Sequence, residues 1–86
     1  MTNDTTHELI FELIREERKF QDKKWGIKKH HDLKWNAIML EECGEVSKSL
    51  IEGGSKEDLI KEIVQVATVA VAWLQINYGE KIKRGK

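Results

Sequence analysis

The 86-residue chain contains no proline and a single cysteine, and its 15 basic and 15 acidic side chains cancel. The lone thiol, Cys43, forms no disulfide within the chain, and without a CxxC pair it suits a reducing, cytoplasmic setting. Zero net charge argues against a dedicated nucleic-acid binder, although Lys81, Lys83, Arg84 and Lys86 make the last residues locally basic. Residues 1–8 lack the charged-then-apolar shape of a signal peptide. The longest uncharged stretch, Ile63 to Gly79, is interrupted by Gln65, Thr68, Gln75 and Asn77, which reads against a membrane span. Neither GxGxxG nor GxxxxGK(S/T) occurs, so no glycine loop of those types cradles a phosphate.

What is present is a normal apolar share, 40% of residues, which argues against disorder. The length allows one domain, residues 1–86. So short a chain buries only about 60–65% of the surface it exposes when unfolded. With no disulfide to compensate, oligomerisation is the expected support.

Without proline, helix limits are set by caps and glycines. Thr5-Thr6-His7-Glu8 has the form of a capping box, followed by an apolar stripe of Leu9, Ile10, Leu13, Ile14 and Phe20. Glu12, Arg15, Glu16 and Arg18 are expected to face water, and Gly26 to stop the helix. Residues 26–32 show no periodicity and read as a loop, with Asp32 placed to cap a second helix carrying Leu33, Trp35, Ile38, Met39, Val46 and Leu50. Gly53-Gly54 ends that helix, and Ser55 opens a third, with Gly79 as its expected close. Although Val64 to Val71 is rich in β-branched residues, the apolar stretch is too long for one buried strand, and it continues from the capped segment Asp58 to Glu62. The reading is all-α, with three main helices near residues 6–24, 33–52 and 56–78. The third is apolar almost all round, so the bundle is expected to be completed by oligomerisation with that helix central.

The chemically loaded stretch is Leu40-Glu41-Glu42-Cys43-Gly44-Glu45-Val46. Glu42 and Glu45 project from one helical face, and Glu41 neighbours Glu45 at a spacing of four. On a solvated surface such repulsion is easily tolerated, but the nearby apolar positions put Glu42 at the core boundary. Glu62 and Gln65 repeat the spacing on the third helix, one turn beyond Asp58. If the second and third helices pack antiparallel across Gly53-Gly54, these groups face one another. Carboxylates converging in apolar surroundings call for a cation, and an oxygen donor set selects a hard one, Mg²⁺ first.

Glu41-Glu42-Cys43-Gly44-Glu45 followed by Glu62-Ile63-Val64-Gln65 resembles the MazG-like members of the all-α nucleoside triphosphate pyrophosphohydrolases, relatives of the dimeric dUTPases. Gln21-Asp22-Lys23-Lys24-Trp25-Gly26, then His30 or His31, then Trp35, resembles the segment that precedes ExxE in small MazG-like proteins. The resemblance covers residues 10–76 and implies ExxE on one helix and ExxD on the next. By position it makes Glu42, Glu45 and Glu62 ligands of Mg²⁺, with Mn²⁺ as a possible substitute. Gln65 stands where the pattern has aspartate and would be a neutral ligand. It implies hydrolysis of a nucleoside triphosphate to monophosphate and pyrophosphate, with Glu41 and Glu42 in catalytic positions, Glu41 as candidate base, and a homodimer or homotetramer as the working state. The alternative is a non-catalytic helical oligomer that binds nucleotide or a protein partner.

Trp25 is a candidate for stacking on a nucleobase, while Trp35 and Trp73 fall at apolar helical positions and read as core. Lys24, Lys28 and Lys29 form a cationic cluster placed to meet a triphosphate, and His31 or its neighbour His30 could touch phosphate or base. His30-His31-Asp32 carries the letters of an HD motif, but the chain lacks the separated ligands and the scaffold of that class. Cys43 has no histidine base in its motif and is not read as a nucleophile. Gly44 is expected to permit close helix packing beneath the site.

Overall fold

A computed structural model describes residues 4–85. Among them are three helices, α1 (Asp4–Trp25), α2 (Asp32–Glu52) and α3 (Lys56–Arg84), and no strand. The all-α expectation holds, and α3 is central: α1 and α2 each pack against it. Gly26 ends α1 at φ +81° with its N–H on the Asp22 carbonyl, and Gly53 ends α2 at φ +73°, a conformation that favours glycine. Two residues on, the Ser55 hydroxyl accepts the Asp58 N–H at 3.0 Å and caps α3. This short connection folds α2 back antiparallel along α3, pairing Glu42 with Gln65 near the middle and Asp32 with Asn77 at the far end.

Four boundary or placement expectations are corrected. Residues Asp4 and Thr5 are already helical, so Thr5 is not the cap of α1. The cap position of α2 is His31, which makes no side-chain capping bond; Asp32 is the first helical residue, and its carboxylate turns instead to α3. Gly79 does not stop α3, which runs on to Arg84. A mid-helix glycine costs only about 1 kcal/mol, and the Glu80–Lys83 pair with the basic last turn favours continuation. Open space surrounds Gly44, so it serves no close approach within the chain.

The interior is small. Trp35, Val69 and Ala72 are buried together with Thr68, whose hydroxyl donates to the Val64 carbonyl at 2.7 Å. Ile38, Met39, Trp73 and Ile76 pack partly buried around them. Trp35 is core as expected, while Trp73 is only half-buried. Much of the predicted apolar surface stays uncovered, including Leu9, Leu13 and Phe20 on α1 and Leu50 on α2, with Leu33 85% exposed. The radius of gyration, 14.4 Å, exceeds the roughly 12 Å of a compact chain of this length. In length and apolarity α3 does reach what a membrane span requires, and its apolar window is only 17% buried. Three of its interrupting polar residues, Gln65, Gln75 and Asn77, are engaged with α1 or α2.

Candidate functional site

Antiparallel packing of α2 on α3 brings Glu42, Glu62 and Gln65 together. The head of the Gln65 amide lies between carboxylates from two helices, and with the amide oriented to satisfy them its nitrogen donates to Glu62 Oε1 at 3.0 Å and to Glu42 Oε1 at 3.2 Å. All three side chains are half-buried. Burial pushes the Glu42 carboxyl above its ordinary range, and the charges of Glu62, Glu41, Glu45 and Glu17 push the same way. Glu41 and Glu45 are exposed on the flanks. Among the described residues no three acidic, imidazole or thiol groups share one coordination sphere as the side chains stand.

Glu42 also lines a cleft of about 360 Å³ between the last turns of α1, the 26–31 loop and the first half of α2, with Val69, Ala72 and Ile76 of α3 as its floor. Its walls carry both signs, Arg18, Lys28 and Lys34 with Asp22 and Glu41. Trp25, 64% exposed, stands at the rim, and Trp35 lies at the base. Of the candidate substrate contacts, Trp25 and Lys28 line this cleft. Lys24 lies outside the lining, its ammonium 4.9 Å from the centre of the Trp25 ring. His31 is also outside the lining, and His30 takes that place, edge-on to Trp35 at 4.9 Å between ring centres.

Several participants escaped the sequence reading. Arg18 does not face water: its guanidinium donates to Gln75 Oε1 at 2.7 Å and to Asp22 Oδ1 at 3.2 Å, holding α1 to α3 beside the cleft. Glu17, which accepts from Gln21 Nε2 at 3.1 Å, adds its charge to the field at Glu42. The signal for both was available, because Ile14, Glu17, Arg18 and Gln21 recur at the spacing of one helical face.

The 26–31 loop is tied down from α3. Asn77 donates to the His30 carbonyl at 2.9 Å and to Asp32 Oδ1 at 3.1 Å, and accepts Trp35 Nε1–H at 3.1 Å. Asp32 also accepts from Trp73 Nε1 at 2.8 Å and from the Tyr78 hydroxyl. Those bonds, from Tyr78 first and then Trp73, hold the Asp32 carboxyl below its ordinary value, while the same contact raises the Tyr78 phenol. No family model matches the chain, and no curated protein or solved structure matches it either.

Proposed function

We propose that the protein is a Mg²⁺-dependent nucleoside triphosphate pyrophosphohydrolase, similar to the MazG-like enzymes, acting in the cytoplasm as a homo-oligomer rather than on a membrane or nucleic acid. The observation that carries this reading is the meeting of Glu42 and Glu62 from two helices beside a cleft with cationic and aromatic walls. The donor chemistry fits a hard cation: an excess of carboxylates surrounds half-buried Glu42, and burial and like charge both favour its neutralisation. Glu42, Glu45 and Glu62 would hold the ion. The two ends of the Gln65 amide are nearly equal in shape, so the group that offers N–H to bare carboxylates offers its oxygen to a cation after a half-turn.

Mg²⁺, when bound, supplies neutralisation and polarisation of the phosphates. Water attacks the α-phosphorus, its proton passes to a carboxylate for which Glu41 at the cleft wall is the candidate, and the α–β phosphoanhydride bond breaks to release pyrophosphate. Lys28 and Lys34 face the phosphate charge, and Trp25 offers a stacking surface at the rim.

One observation favours a second reading. With its nitrogen turned to them the Gln65 amide satisfies Glu42 and Glu62, so a non-catalytic oligomer that binds nucleotide or a protein partner would retain this arrangement without an ion. A panel of nucleoside triphosphates assayed for pyrophosphate release with Mg²⁺ separates the two. Hydrolysis of at least one, lost in Glu42→Gln, supports the enzyme; binding without turnover across the panel supports the alternative.

A further inference from the structure

Along α3, Ile60, Ile63, Val71, Leu74 and Ile82 are each at least 40% exposed, and Tyr78 lies on the same line with its ring 36% exposed and its hydroxyl reaching round to Asp32 of α2. At about 100° per residue they fall within an arc of about 100°, one continuous apolar stripe along the helix. Near its N-terminal end the stripe merges with α1 in a groove of about 550 Å³, whose apolar walls are Leu13, Phe20, Ile60 and Val64 and whose lining includes Glu16, Glu57 and a single cation, Lys61. The other end of the same helix is basic, with Lys81, Lys83 and Arg84 beside Ile82.

We infer that a second copy of the chain docks on this stripe antiparallel, about a two-fold axis at Val71. That register sets Ile60 of one protomer beside Ile82 of its partner. It lays the basic last turn of each α3 in the acidic groove of the other, and it opposes the helix dipoles; a parallel pair would set like charges together. The area suffices. The chain exposes 6985 Å², against roughly 5,200 Å² for a compact monomer of its mass, and a standard interface takes about 800 Å² from each partner. This inference rests on the homo-oligomer part of the proposed function and is independent of its chemistry.

The test combines light scattering at micromolar concentration with cross-linking by a short bis-maleimide in full-length protein carrying Cys43→Ser. Wild type should be dimeric or a dimer of dimers, and Leu74→Asp, at an exposed position, should keep its helical circular dichroism while self-affinity falls at least ~100-fold. Val71→Cys should cross-link to itself. Ile82→Cys should not do so alone but should link to Ile60→Cys when the two proteins are mixed. A native wild-type monomer overturns both this inference and the homo-oligomer proposal. A stable oligomer in which Val71→Cys stays unlinked, or Ile82→Cys links to itself, overturns the antiparallel α3 interface alone.

Discussion

Gln65 on α3 donates the same amide nitrogen to Glu62 on its own helix and to Glu42 on α2. This sets two hydrogen bonds against the carboxylate repulsion without adding positive charge. Gln65 should therefore respond to substitution in opposite directions with and without a cation.

Gln65→Asp removes the bridging donor and adds a charge. Apo stability should fall, by a few tenths of a kcal/mol for each neighbouring carboxylate from repulsion alone. Mg²⁺ affinity should rise about tenfold if one charged ligand is gained. Thermal melts of both proteins across an Mg²⁺ titration check this. Equal Mg²⁺ dependence would remove Gln65 from an ion site, and lower stability with and without Mg²⁺ alike would assign it a packing role only.

Glu42 gives a pH signature. Its carboxyl is raised in the folded protein, so its contribution to stability is fully present below the ordinary value near 4.5 and is lost as pH rises through the folded value. Glu42→Gln should thus stabilise the apo protein at neutral pH and remove that part of the decline above pH 4.5. Urea melts at a series of pH values report both effects. Loss of stability at neutral pH in this variant would show that the Gln65 amide outweighs burial and like charge at this carboxylate.

Asp32 has the opposite sign. Its carboxyl is lowered by the Tyr78 and Trp73 bonds, so the stability it contributes is present above about 3.8 and is lost as pH falls. Asp32→Asn should be less stable than wild type at neutral pH, with the difference closing in acid. A constant difference across the range would assign the loss to packing.

The local punctuation of this chain was legible because it is set by adjacent residues. Ser55 caps α3, and Gly26 and Gly53 end their helices, as their chemistry dictates. The meeting of Glu42 with Glu62 and Gln65 was legible too, since a short turn leaves an α-hairpin little freedom of register. The roles of Arg18 and Asp32 were not. Spacing puts Arg18 on one helical face with Ile14, but its partner Gln75, distant in sequence, cannot be read from that spacing. Asp32 had good local credentials as a cap, and the three donors on α3 outcompeted the backbone amides. Gly79 misled for a related reason: a glycine ends a helix only where the chain needs a left-handed residue, and here it keeps helical geometry.

Asn77 should matter more than its single amide suggests. Asn77→Leu removes the tie to the 26–31 loop and strips Trp35, 7% exposed, of its partner. The cost expected for an unsatisfied buried donor is about 1–3 kcal/mol. Hydrogen exchange in residues 26–31 should accelerate well beyond the global change. Protection that falls only in step with global stability would show that the loop is held by other contacts.

The most direct measurement follows the oxygen of the attacking water. Hydrolysis of the best nucleoside triphosphate in ¹⁸O-water with Mg²⁺, read by ³¹P NMR, should place the label in the nucleoside monophosphate and leave the pyrophosphate unlabelled. Label in pyrophosphate or inorganic phosphate would contradict attack at the α-phosphorus, and absence of turnover with every nucleotide would contradict the enzyme itself.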